Sequence, residues 1–127
     1  MKIAFDAKRA FHNKTGLGNY SRSVINTISN TLKSDQIYLF TPSVNNNFKI
    51  PNHNTNIVTP SIISNKIYWR FKGINRQLEK LNIDIYHGLS NEIPHGINTK
   101  SIVTIHDLLF LKYPNYYNFI DRKIYYL

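Results

Sequence analysis

The opening stretch, MKIAFDAKRAFHNKTGLGNYSR, constrains the fold more than any other part of the chain. Lys2 to Phe5 is a short apolar run that reads as a buried strand, and Asp6 ends it. A loop with Lys8, Arg9 and Lys14 follows, and Thr15-Gly16-Leu17-Gly18-Asn19-Tyr20 leads into a helical pattern. Strand, glycine loop and helix together offer backbone N–H groups and a positive helix end to an anion. Glycines without Cβ atoms let the backbone come close to a ligand. The third glycine of the dinucleotide fingerprint is missing, since Ser21 stands three positions after Gly18. The loop is also longer than a dinucleotide turn. An ordinary glycine-capped βα loop therefore remains an alternative.

The rest of the chain keeps the alternation. Tyr20, Val24, Ile28 and Leu32 recur every four residues, which predicts an amphipathic helix from about Gly18 to Leu32. Gln36 to Phe40 reads as a second strand. Ser43 to Asn56, rich in Asn and holding Pro51, is a loop. Ile57 to Thr59 is a short third strand stopped by Pro60. Ile67, Phe71, Ile74, Leu78 and Leu81 make one apolar stripe on a helix from Asn65 to Leu81, with Asn82 as a left-handed cap. Asp84 to Tyr86 is a fourth strand. Ser101 to Ile105 is a fifth, apolar enough to be covered on both faces. A further helical pattern runs from Asn118 to Leu127. Alternation of this kind predicts an α/β fold, a Rossmann-like parallel sheet with helices on both faces.

Composition narrows the function. The 127 residues make one domain at most, 42% hydrophobic and 18% charged, as suits a packed core. No cysteine is present, so no disulfide framework or thiolate metal site is expected. Asp6, Lys8 and Arg9 break any secretory leader, and no run approaches the ~18 apolar residues of a spanning helix. Sixteen basic against seven acidic residues give +9, which favours an anionic partner. Ile, Asn, Lys and Tyr crowd the chain as an AT-rich genome would produce, so the placement of charge matters more than its sum. No recognisable nucleic-acid motif appears, and no nucleic-acid partner is expected.

In a parallel sheet, ligands bind beyond the carboxyl ends of the strands. Three strands end in polar residues: the first at Asp6, the fourth at His87-Gly88-Leu89-Ser90-Asn91-Glu92, the fifth at His106-Asp107. With the first, fourth and fifth strands near the middle of the sheet, these residues share one rim with the Gly16–Gly18 loop. Each also has a plain structural use. His87 can bond a loop carbonyl, Asp107 can cap a turn, and Asp6 can pair with Lys8 or Arg9.

Three segments together resemble the N-terminal domain of family-4 glycosyltransferases of the GT-B fold. They are Phe5-Asp6-Ala7 through Thr15-Gly16-Leu17-Gly18-Asn19-Tyr20-Ser21-Arg22, then Asp84-Ile85-Tyr86-His87-Gly88, then Val103-Thr104-Ile105-His106-Asp107-Leu108. Each motif is short; their combination and order carry the resemblance, which extends from Lys2 to the end of the chain. It implies an acceptor-side domain facing a donor-binding domain across a cleft. It also implies a retaining hexosyltransferase that uses a nucleotide sugar, needs no metal or cofactor and acts on a glycan or lipid-linked acceptor. Cell-surface polysaccharide synthesis is the setting the family suggests. By the same resemblance, His106 is the active-site histidine near the transferred sugar, and Asp107 orients it or holds its loop. Gly16, Leu17, Gly18 and Asn19 form the loop near donor phosphate and acceptor. His87, Ser90 and Arg9 line the substrate cleft.

Complete members are several hundred residues long, and their second domain supplies glutamates for the donor. Residues 1–127 are thus expected to be a single partial N-terminal domain, without the C-terminal donor-binding domain and inactive alone. The uncapped apolar ending at Ile124 to Leu127 reads as cut. The alternative is a non-catalytic Rossmann-like module that binds a phosphorylated ligand or a protein partner.

The helix from Lys66 to Leu81 adds one more expectation. At ~100° per residue, Lys66, Arg70, Lys72, Arg76 and Lys80 fall opposite the apolar stripe, and Trp69 projects among them. A Trp exposed among cations suits an anionic membrane surface, with the ring at headgroup level. A cytoplasmic protein, peripheral at the inner face of the membrane, is the location expected. The plain alternative is a solvated helix face with Trp69 packed under a neighbouring segment.

Overall fold

The computed structural model describes residues 1–51, 54–60 and 69–116; the side chains of Arg70, Phe71, Phe110 and Pro114 lie outside that description. The helical pattern of residues 118–127 and the start of the helix expected at 65–68 also fall outside it. The described elements, in chain order, are β1 (Lys2–Asp6), α1 (Lys8–His12), α2 (Gly16–Thr31), β2 (Gln36–Phe40) and β3 (Thr55–Val58). A π turn (Trp69–Gly73) then runs into α3 (Ile74–Leu81), followed by β4 (Ile85–Gly88), β5 (Lys100–Val103), α4 (Leu109–Lys112) and a 3-10 turn (Pro114–Tyr116). The five strands form one sheet in the order β3-β2-β1-β4-β5, with every neighbouring pair parallel. This is a Rossmann-like α/β fold.

Alternation along β1 and β2 sorts the core into two layers. Ile3, Phe5, Ile37 and Leu39 face one side, where α1 and α2 cover them with Ala10, Phe11 and Ile25. Ala4, Tyr38 and Phe40 face the other, against Trp69, Ile74, Leu78 and Tyr86. Both strands are buried on both faces, which explains their unbroken apolar sequences. The Ser43–Pro51 part of the Asn-rich loop is held down on α1. Phe48 is buried edge-on against Phe11, Asn47 Nδ2 donates to the Phe11 carbonyl, and His12 Nε2 donates to the Ser43 carbonyl.

Asn82 caps α3 in the left-handed conformation at φ 51°, and the Ile83 N–H closes back on the Leu78 carbonyl. Two other expectations are corrected. The segment from Lys8 to His12 is a short helix rather than a loop. The fifth strand is neither central nor covered: among the described residues β5 is an edge strand paired only to β4, and Lys100 to Val103 are all exposed. Its apolar sequence encodes the capacity to be covered. Covering requires an element packed over it, and no described helix lies there.

A third correction concerns Trp69. Rather than standing exposed among cations, it is 3% exposed, stacked on Phe40 with ring centroids 6.4 Å apart, and its Nε1 donates to Gln77 Oε1 at 2.7 Å. The cause is the π turn. In a regular helix Trp69 would stand about 140° from Ile74, on the far side. The π turn closes i to i+5 and takes in one more residue, which brings Trp69 back over the core side. Gly73 makes room: a Cβ there would lie 2.6 Å from Trp69 Cδ1. The helix gives up about 1 kcal/mol of propensity at Gly73 and gains the burial of an indole.

Candidate functional site

All strands run the same way, so the carboxyl ends of β1, β4 and β5 open on one rim. The α1–α2 segment leaves β1 at that rim, and α2 starts beside it. The structure brings four polar side chains together there. His87, near the end of β4, places Nε2 2.9 Å from Thr104 Oγ1, just beyond β5. Tyr20, in the second turn of α2, places its hydroxyl 3.1 Å from the same Thr104 oxygen. The Tyr20 ring meets the His106 ring edge-on, centroids 4.8 Å apart at 88°. His106 is itself exposed on the rim.

Three neighbours hold His106. Its backbone N–H donates to Asn91 Oδ1 at 2.9 Å, its ring Nε2 donates to the Leu89 carbonyl at 2.9 Å, and Tyr20 supports its edge. A carbonyl only accepts, so the hydrogen must sit on Nε2. In the neutral ring the lone pair is then on Nδ1, which has no partner among the described residues. Such a nitrogen can accept a hydrogen bond from a hydroxyl, or take its proton.

Asp107 does not orient His106. Its Oδ1 accepts the Leu109 N–H at 3.0 Å, which turns the chain into α4 and holds the loop. His106 owes its orientation to Leu89 and Asn91, partners that the sequence motif does not advertise.

His87 is half-buried beside Phe5, ring centroids 5.8 Å apart, and burial pushes its imidazole pKa below the usual 6.5. Its role is a hydrogen bond to a loop side chain, close to its plain structural use. The folded state therefore favours neutral His87, and the unfolded state binds more protons just below pH 6.5. Stability from this group is present above the unfolded value and is lost as pH falls through it. The denaturation midpoint of the native chain is expected to drop below pH 6.5. In His87→Gln, which keeps a hydrogen bond to Thr104 but cannot titrate, that part of the drop should vanish. A series of urea melts across pH on both proteins checks this.

The glycine loop is corrected: Gly16 to Asn19 form the first turn of α2 rather than a loop, and Gly18 serves packing. Gly18 faces its own chain: a Cβ there would lie 1.8 Å from the Asn13 carbonyl oxygen. Its N–H and that of Thr15 both point to Asn13 Oδ1, at 3.3 and 2.7 Å. The Arg22 guanidinium ties the Ala10 and Asn13 carbonyls and bonds Asn19 Oδ1, so Asn19 is engaged within α2. Gly16 is open, with nothing within 4 Å of the point where a Cβ would stand. The Gly16 and Leu17 amides, in the first turn of α2, have no acceptor among the described residues. They are the segment's available anion donors. Arg9 is half-buried on α1 at the same rim, and Ser90 is half-buried in the loop after β4; neither makes an ion pair or side-chain hydrogen bond among the described residues.

Of the membrane face expected around Lys66, Trp69, Arg70 and Arg76, the part that is corrected is the exposure of Trp69. Trp69 is in the core, Lys66 and the Arg70 side chain lie outside the described residues, and Arg76 and Lys80 are exposed on α3. Trp69 emission should be blue-shifted in the folded chain, shielded from iodide, and unchanged by anionic vesicles; a red-shifted, quenchable emission would contradict its burial. Among the described residues no helix is long and apolar enough to cross a membrane, and no group of three His, Asp or Glu gathers as for a metal ion. A separate pocket, lined by Leu32, Lys33 and Asn54, lies toward the amino-terminal ends of β2 and β3, away from the rim.

Tyr20, Asn91 and Thr104 belong to the site without having been singled out from sequence. Tyr20 reads as the first residue of the α2 stripe, and only its hydroxyl hints at a second use. Thr104 and Asn91 carry no chemistry of their own; their partners identify them. Compared with protein-family models, curated proteins and solved structures, the chain matches none of them.

Proposed function

We propose that the chain is the acceptor-side, N-terminal portion of a glycosyltransferase that moves a sugar from a nucleotide-sugar donor to a glycan or lipid-linked acceptor in cell-surface polysaccharide synthesis. One observation carries the reading: α2, which opens at the glycines, and His106, far apart in sequence, touch at one rim through the Tyr20 ring. At such a rim the Gly16 and Leu17 amides suit a phosphate or a polar acceptor group. The departing nucleotide diphosphate gains charge in the transition state, where aimed N–H donors are worth several kcal/mol. His106 Nδ1 suits a sugar hydroxyl. Its exposure fits one wall of a cleft that a donor-binding domain would close.

The test is a screen of the full-length protein against UDP-, GDP- and dTDP-sugars, scored by nucleotide release with and without a glycan acceptor mixture. Release that depends on one nucleotide sugar supports the reading. Absence of release, together with saturable binding of a phosphorylated ligand at Gly16, would favour a non-catalytic module instead.

A further inference from the structure

We propose that Asn91 is a positioning residue for His106: its side chain fixes the His106 main chain so that the ring keeps Nε2 on the Leu89 carbonyl and presents Nδ1 to the rim. Two non-glycine residues among those described have positive φ, Asn82 and Asn91. Asn82 is accounted for as the cap of α3. Asn91, at φ 55°, caps no helix. Glycine adopts this conformation without steric cost, whereas a side chain resists it. Asn reaches this region more readily than other side chains, and at this position its side chain also makes a contact that glycine could not.

What it supplies is an acceptor. Asn91 Oδ1 takes the His106 N–H at 2.9 Å, while the Asn91 N–H donates to the Thr104 carbonyl at 2.9 Å. The Thr104 N–H in turn donates to the Gly88 carbonyl at 2.8 Å. The loop after β4 and the segment after β5 are thereby laced from Gly88 to His106. The ring then reaches the carbonyl of Leu89, a residue with no exposed surface and thus a fixed anchor. The left-handed turn at Asn91 aims both its amide and its side chain at the same neighbouring segment. Removing Oδ1 leaves the other backbone bonds in place but frees the His106 amide, and with it the register that holds the ring on Leu89.

Asn91→Gly separates positioning from folding, because glycine relieves the strained φ while deleting the acceptor. Hydrogen exchange of the folded chain is followed at two protons, the His106 amide and the His106 ring Nε2–H. Expected is a melting temperature equal to or above the native one, with both protons exchanging about tenfold faster or more. Asn91→Asp, which tolerates the left-handed region and keeps an acceptor oxygen, should restore protection. Unchanged protection in Asn91→Gly overturns the proposal. So does a general loss of protection with a lower melting temperature, which would make Asn91 a structural residue only.

The consequence for sugar transfer rests on the transferase reading, but the exchange measurement does not. Lost protection in a protein that releases no nucleotide would retire the transferase reading and leave the positioning intact. Unchanged protection in an active transferase would do the reverse.

Discussion

Replacing Gly18 by Ala is expected to cost the folded chain about 3 kcal/mol, while the same change at Gly16 should be neutral or stabilise by up to about 1 kcal/mol. The two glycines are separated by one residue and look alike in sequence. Their surroundings differ. A Cβ at Gly18 would meet the Asn13 carbonyl oxygen at 1.8 Å, which is backbone and cannot swing aside. To relieve the overlap, the α1–α2 segment must move off α2. That movement would loosen the Arg22 bonds to Ala10 and Asn13, and the Asn13 bond to the Gly18 amide. At Gly16 a Cβ meets nothing, and Ala is the better helix former in the first turn. Urea melts of both variants check the contrast, read as a shift in midpoint at unchanged slope. Equal destabilisation of the two would mean that the loop does not pack as described.

On the transferase reading, His106→Ala in the protein that releases nucleotide should lower that turnover by about a hundredfold or more, on the scale of deleting one aimed polar group from an active site. Stability should fall by only about 1 kcal/mol, the net worth of an ordinary hydrogen bond. The ring is exposed and contributes one bond, to the Leu89 carbonyl, and one edge contact, to Tyr20. Its backbone bond to Asn91 survives the substitution. His106→Gln can place an amide toward the Leu89 carbonyl but offers no ring nitrogen at the rim. It should therefore recover the stability and not the turnover. A variant with normal turnover and a melting point several degrees lower would make His106 a structural residue. Asp107→Asn should be mild in comparison, because the side chain accepts the Leu109 N–H through its oxygen and an amide retains one.

The sequence by itself determined the strands to within a few residues, the two longer described helices α2 and α3, and the class of fold, but not the short helices α1 and α4. The apolar run Gln36 to Phe40 is β2 with the same ends, and the four-residue recurrence from Tyr20 to Leu32 is a half-buried flank of α2 packed beside its buried face of Gly18, Ser21, Ile25 and Ser29. These are local signals: a period of two or 3.6 is set by the geometry of one element. The polar ends of three strands also pointed to one rim, because any all-parallel sheet collects carboxyl ends on one edge.

Only the tertiary structure decided what covers each element and which neighbour each polar group meets. The apolar sequence of β5 looks like that of a central strand, yet among the described residues β5 is at the edge, since burial belongs to the packing partner and not to the strand. Trp69 changed sides because a π turn, closed over Gly73 and Phe40, adds a residue that a 100° wheel cannot see. The resemblance offered Asp107 either as the orienter of His106 or as a holder of its loop, and its carboxylate is engaged by the Leu109 N–H. The partners of His106 came instead from α2 and the β4 loop, through Tyr20, Leu89 and Asn91. Hydrogen bonds and ring contacts between segments about 15 to 85 residues apart leave no periodic trace in a single sequence, so the residues that complete this site became legible only when the sheet brought them together.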